Sequence, residues 1–174
     1  MPRPGTSRSH PRSRAWIVGG VLAGSLLPAL WLINARTQAP SDLGVRDGRL
    51  AACPDSPNCV HSQTQNPRAR VEPFPLPGPA DAALARLKTY LAGQPRTRLV
   101  QESPGYLRYE FRTRLCRFVD DVEFLVEAKS SVLHVRSASR LGYSDLGANR
   151  ARIESLRKWW QSTNPSPEAP GPRP

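Results

Sequence analysis

Between Val135 and Glu154 the chain reads VRSASRLGYSDLGANRARIE. Arg136, Arg140, Arg150 and Arg152 stand there among Ser137, Ser139, Ser144, Asp145 and Asn149, with Gly142 and Gly147 as breaks. A guanidinium offers a planar fork of donors that suits a carboxylate or a phosphate. Such a block builds either a structural ion-pair knot or a site for an anion. Asp120 and Asp121, in FVDDVEF, are the nearby acids that would sit beneath it. The candidate ligand-binding set is therefore Asp120, Asp121, Arg136, Ser139, Arg140, Asp145, Asn149 and Arg150. An envelope hydrolase is the competing reading. Asp120 or Asp121 would be the general base, Arg140 or Arg150 the oxyanion donor, and Ser139 or Ser144 the nucleophile. Motifs do not support it. The chain has no P-loop, no dinucleotide glycine pattern and no HExxH, and in GYSDLG the glycine is too far from Ser144 for a nucleophile elbow. The balance favours a noncatalytic site, with a purely structural knot as the simplest case, because ion-pair networks also generate such clusters.

The elements that must hold these residues follow from periodicity. Phe118–Glu127 and Val132–Ser139 both alternate and read as strands of a hairpin closed by Ala128–Ser131. With Glu127 facing Val132, residues Phe118, Val122, Phe124 and Val126 share one apolar face with Leu133 and Val135. A one-residue slip would mix the faces, so this register is favoured. It sets Glu123 against Arg136 on the polar face, as an exposed cross-strand pair. It also sets Asp120 against Ser139 at the edge of the apolar face. An acid pointing at a core needs a partner, and Arg140 and Arg150 are the nearest candidates in sequence. Tyr106–Thr113 alternates as a third strand, with Leu107, Tyr109 and Phe111 on one side and Arg108, Glu110 and Arg112 on the other. Thr97–Glu102 is a fourth, joined through the turn Ser103-Pro104-Gly105. Asp81 is placed to cap a helix with Ala83, Leu84, Leu87, Tyr90 and Leu91 on one stripe, ended by Gly93. Asn149 is placed to cap a last helix with Ile153, Leu156 and Trp160 facing in. The fold class is α+β: a two-layer domain of about four antiparallel strands with two helices on one face.

Cys53-Pro54-Asp55-Ser56-Pro57-Asn58-Cys59 holds two prolines that favour a turn, so a local Cys53–Cys59 disulfide can close. Cys116 is left over as a buried or free thiol. A metal site would have to add His61 or His134, and the spacing matches no standard zinc pattern. No metal and no cofactor is expected.

Ala15–Ile33, AWIVGGVLAGSLLPALWLI, carries no charge and is long enough to cross a bilayer core. Arg3, Arg8, Arg12 and Arg14 precede it, which orients the remainder out of the cytoplasm. Trp16 and Trp31 suit the two interfaces. The run is longer than a signal-peptide core, and Pro40 follows the nearest small-residue site, so a retained anchor is favoured over cleavage. The formal net charge of +11 suggests nucleic acid when taken alone. Beyond the first 39 positions, however, 20 basic and 14 acidic residues leave only +6. Outside the cytoplasm nucleic acid is not the usual partner, and none is expected. The remaining basic excess reads first as a solvated face and second as a weak attraction to anionic headgroups. The expected partner is therefore the membrane, through the anchor, with an anionic ligand or envelope protein as the further candidate. The chain then divides into a basic cytoplasmic segment (1–14), an anchor (15–33), a polar stalk (34–49), an extracytoplasmic domain (50–161) and a disordered Pro-rich tail (162–174). The Pro-rich stretch from Pro67 to Pro79 is expected to run extended over the domain without a sheet partner.

CPDSPNCVHSQ, FVDDVEF and VRSASRLGYSDLGANRARIESLR, in this order and at these separations, resemble the DUF1499 family over roughly Leu50 to Trp160. His61 stands where a small polar residue is expected, and Cys116 where no cysteine is. The resemblance implies a small bacterial envelope or chloroplast protein and a domain extent, and no mechanism. Together with the anchor it places the chain as a single-pass protein of the bacterial inner (plasma) membrane with its domain outside the cytoplasm.

Overall fold

The computed structural model describes residues 38–163. The expected basic segment, anchor and most of the Pro-rich tail lie outside the described residues. Among the described residues no helix is long and apolar enough to cross a membrane.

The alternating segments form antiparallel strands: β5 (Thr97–Ser103), β6 (Tyr106–Arg112), β7 (Val119–Glu127) and β8 (Val132–Ser139). The β7–β8 register is the expected one, with Glu127 opposite Val132, Glu123 opposite Arg136 and Asp120 opposite Ser139. It keeps Val122, Phe124, Leu133 and Val135 on one face, all of them fully buried. Helices α1 (Ala80–Ala92) and α2 (Ala148–Thr163) cover that face. Leu84, Leu87 and Leu91 from α1 meet Ile153, Leu156 and Trp160 from α2 over the sheet residues. Each such side chain contributes about 1.5–3 kcal/mol when fully buried. The α+β class with two helices on one face thus holds.

The sheet is larger than about four strands. β3 (Cys59–His61) and β4 (Phe74–Pro75) both pair with β8, making six strands in all. Both sit on the edge of β8 that β7 leaves open. The Pro-rich stretch therefore does have a sheet partner. Phe74 is fully buried, and Trp160 Nε1 donates to the Pro75 carbonyl at 2.7 Å. A proline tolerates this position because it pairs at an edge, where a missing N–H costs least.

The stalk also needs correction. Val45–Arg46 (β1) and Arg49–Leu50 (β2) form a small hairpin. Its turn is Asp47-Gly48, with φ of 51° and 71°, the left-handed pair that a tight two-residue hairpin turn requires. Leu50 packs on Tyr106 and Leu125, on the sheet face away from the helices. The domain thus begins before residue 50, and its far face is roofed by its own N-terminal residues.

Both helix starts differ from expectation. Pro79 precedes α1 and no side chain caps it, so Asp81 serves only as an acid in the first turn. At α2 the cap is Asp145, whose carboxylate accepts the N–H of Asn149 at 2.7 Å and of Gly147 at 2.9 Å. Asn149 lies inside the helix. The helix also runs through Ser162 and Thr163, two residues assigned above to the tail.

Candidate functional site

The arginine block divides between the two faces of the sheet. On the far face Arg140 reaches across β7 to β6. Its Nε donates to Asp121 Oδ2 at 2.7 Å, and its Nη2 to Asp121 Oδ1 at 2.8 Å and Glu110 Oε1 at 2.7 Å. Arg98, Arg112 and Arg108 complete the group: the first two pair with Glu110 and the third with Asp121. Beside it, Arg136 Nη1 donates to Glu123 Oε2 at 3.0 Å. Glu123 also accepts from Tyr106 Oη at 2.8 Å and from the Gly44 N–H at 2.9 Å. The Glu123–Arg136 pair was expected to be exposed. It is buried instead, with Glu123 0 % accessible, because the segment from Gly44 to Leu50 lies over it.

On the helix face Asp120 is also buried, but neither Arg140 nor Arg150 answers it. Its partner is Arg152, whose Nη2 lies 2.5 Å from Asp120 Oδ2. Arg152 Nη1 donates to Ser137 Oγ and to Asn149 Oδ1. Asn149 Nδ2 donates to the Asn58 carbonyl and to Ser139 Oγ, both at 3.0 Å. Asn149 is fully buried and joins α2, β8 and the disulfide loop. Arg150 points elsewhere and donates to the carbonyls of Arg68 and Arg70. Of the eight candidate residues, the structure puts Asp121 and Arg140 in one knot and Asp120, Ser139 and Asn149 in another. Arg136 stands beside the first, Asp145 is spent on the helix start, and Arg150 is outside both. Sequence reasoning missed Glu110, Asn58 and Arg152. Asn58 is buried inside the turn of the Cys pair, and its Nδ2 donates to the Gly142 carbonyl at 2.6 Å.

A cleft of about 510 Å³ adjoins the far-face knot, lined among others by Pro40, Asp42, Asn58, Asp121, Arg136 and Arg140. Arg136 Nε is buried there with no hydrogen-bond partner among the described residues.

Electrostatics follow the pairing. Burial pushes the Glu110 carboxyl up, but hydrogen bonds and charge from Arg98 and Arg140 outweigh it and hold it at about 2. Burial lowers Arg140, and the hydrogen bonds to Asp121 and Glu110 more than restore it, so its pKa is raised. His61 is depressed to about 4, by burial first and then by the charge of Arg136. Its Nδ1 accepts the Gln63 N–H at 2.8 Å, which suits the neutral ring. Both shifted groups weaken the fold in acid, at different pH. The folded pKa of His61 lies below its unfolded 6.5, so the unfolded chain binds the proton first, and stability present above 6.5 falls until about 4. The folded pKa of Glu110 lies below its unfolded 4.5, so its contribution, complete above 4.5, is lost from there toward about 2. Unfolding midpoints measured against pH should therefore drop in two stages. His61→Asn should flatten the first stage alone; an unchanged upper stage would exclude His61 as its source.

Cys53 and Cys59 are joined, with a Cα separation of 5.7 Å, and Cys116 is a free, exposed thiol. A loop this short contributes about 2 kcal/mol by chain entropy. Replacing both cysteines with serine should lower unfolding stability by about that amount. Mass mapping of nonreduced peptides should find Cys116 unlinked, and a Cys116 linkage would refute the pairing.

Fold and site together define a small α+β domain whose antiparallel sheet is covered by helices on one face. On the other, a strap of its own N-terminal residues covers a charged layer. Residues 49–159 match the model for the protein family of unknown function DUF1499, and the chain belongs to that family. No curated protein and no solved structure matches it.

Proposed function

We propose that this chain is a noncatalytic binding or scaffolding module of the cell envelope, held by an N-terminal anchor with its domain outside the cytoplasm. The observation that carries the noncatalytic reading is the engagement of both candidate bases and of the Ser139 hydroxyl. Asp120 is held by Arg152, Asp121 by Arg140, and the Ser139 hydroxyl by the Asn149 amide. A carboxylate whose oxygens already accept from a guanidinium is not free to reach a substrate proton. A serine without an adjacent base is a weak nucleophile. The arginine block is then structural, and binding falls to the loops around it. The uncharged run at 15–33 and the disulfide support the compartment.

Joining reporters after Pro174 tests the topology. A phosphatase that works only outside the cytoplasm should be active there, and a fluorescent protein that matures only inside should be dark. The reverse pattern would overturn the anchor orientation and the envelope assignment together.

A further inference from the structure

The strands β5 to β8 run antiparallel, so one end of the sheet gathers the start of β5, the β6–β7 loop and the segment after β8. The three large apolar side chains most open to solvent, Leu115, Tyr143 and Leu146, lie there together with Phe118, while Val45 and Leu99 are the exposed ones elsewhere. Leu115 is 90 % exposed and Phe118 40 % in the β6–β7 loop; Tyr143 is 77 % and Leu146 96 % in the segment leading to α2. The opposite end is closed by Ser103-Pro104-Gly105 and Ala128-Lys129-Ser130-Ser131, which hold no large apolar residue. The apolar end is also basic. Arg112, Arg114 and Arg117 fall within the β6–β7 loop or beside it with no acid among them, and Arg114 and Arg117 are exposed. The acids on these two loops and the strand ends below them are engaged: Asp120 by Arg152, Asp121 by Arg140 and Asp145 by the start of α2. Asp42 and Asp55, on the entering chain and the disulfide loop, are the exposed acids near by. The chain enters the domain at this same end, since Pro40, Asp42 and Leu43 line the cleft with Arg140 and Gly142.

Exposed leucine and aromatic side chains beside arginines match a membrane interface, where apolar groups enter the acyl boundary and cations meet anionic headgroups. We infer that the end bearing Leu115, Phe118, Tyr143 and Leu146, with Arg114 and Arg117, is a docking surface for an anionic bilayer. This rests on the anchored reading, which would bring a lipid surface near the point where the chain enters. It assigns a role to exposed side chains that neither the core nor the charge knots use.

Cys116 supplies the probe, because it is exposed in the middle of the β6–β7 loop. The full chain, labelled there with a polarity-sensitive fluorophore, would be placed in vesicles of phosphatidylcholine with or without phosphatidylglycerol. Emission should move to the blue and become shielded from aqueous iodide when phosphatidylglycerol is present. A label at Ala128→Cys in a Cys116→Ser background, on the opposite turn, should stay wet. Each arginine near an anionic surface changes partition about five-fold, so Arg114→Gln with Arg117→Gln should shift the docked fraction roughly 30-fold toward free. Leu115→Asp should release the loop, and at 90 % exposure it leaves the core untouched. A Cys116 label as wet as the Ala128 label in every vesicle would overturn the inference. So would shielding that is indifferent to both sets of substitutions. Shielding seen only in native envelope membranes would reassign the surface to a protein partner and also overturn it. Carbonate extraction of the same vesicles reads the anchor separately: a washed-out chain would refute the anchored reading, while the Cys116 signal before extraction still decides the docking surface.

Discussion

Arg140→Ala is expected to lower unfolding stability by about 3–5 kcal/mol, because it strips the principal cation from two buried acids at once. Asp121 and Glu110 side chains are 2 % and 7 % accessible, and the Arg140 side chain only 5 %. Desolvated carboxylates left short of a partner cannot recover their hydration without opening the sheet. Arg98, Arg108 and Arg112 remain, but each meets these acids through a single contact of 2.9–3.4 Å, from more exposed positions. Arg150→Ala is the comparison. Arg150 binds two backbone carbonyls near the surface, and its loss should cost about 1 kcal/mol. Denaturant midpoints of a chain starting at Ala39 would rank the two. Equal midpoints would sink the structural reading of the block and make Arg140 a binding residue instead. Converting Asp121, Glu110 and Arg140 together to apolar residues of similar volume should cost far less than Arg140→Ala, because a whole buried network can often be replaced where one member cannot.

How far the sequence reached depends on which interaction set each feature. The β7–β8 register was legible, because burial of one face penalises a slip by moving Val122, Phe124, Leu133 and Val135 together into the polar layer. The Cys53–Cys59 pair was legible because it is local. The partner of Asp120 was not. Asn149, Ile153, Leu156 and Trp160 mark the inward stripe of α2, and Arg150 and Arg152 lie on its two flanks. Which flank meets β7 is set by how the helix crosses the sheet, and periodicity carries no information about that. Burial of the polar face was hidden for a different reason. Alternation in β6 and β7 marks Glu110, Asp121 and Glu123 as facing away from the helices, and solvent is the ordinary occupant of that side. Over Glu123 the cover comes from residues 44–50, and over Glu110 and Asp121 from the arginines that pair with them. The turn pair Asp47-Gly48, between Val45-Arg46 and Arg49-Leu50, was a readable hairpin signal in a segment taken for a stalk.

That cover changes the ranking of the two acids on β7. Taken from the sequence, Asp120→Ala should be severe and Glu123→Ala nearly silent, since an exposed ion pair is worth roughly 0–1 kcal/mol. The structure makes both severe, about 3–5 kcal/mol each, and sets Glu123→Ala at the upper end. Asp120 answers one guanidinium, on the partly accessible Arg152. Glu123 answers three donors, namely Arg136 Nη1, the Tyr106 hydroxyl and the Gly44 N–H. The last of these holds the N-terminal strap to the sheet. Losing the carboxylate should therefore loosen Gly44–Leu50 as well as strand Arg136. Amide exchange separates the two effects: Glu123→Ala should speed exchange at Gly44 and Leu50 well before global unfolding, while Asp120→Ala should leave those amides protected. Tyr106→Phe removes one donor and should cost about 1 kcal/mol. If Glu123→Ala falls within 1 kcal/mol of wild type, the strap does not roof the sheet in solution, and the charged face is open to a ligand after all. Glu123 is thus the residue at which a structural layer and a binding face make opposite predictions.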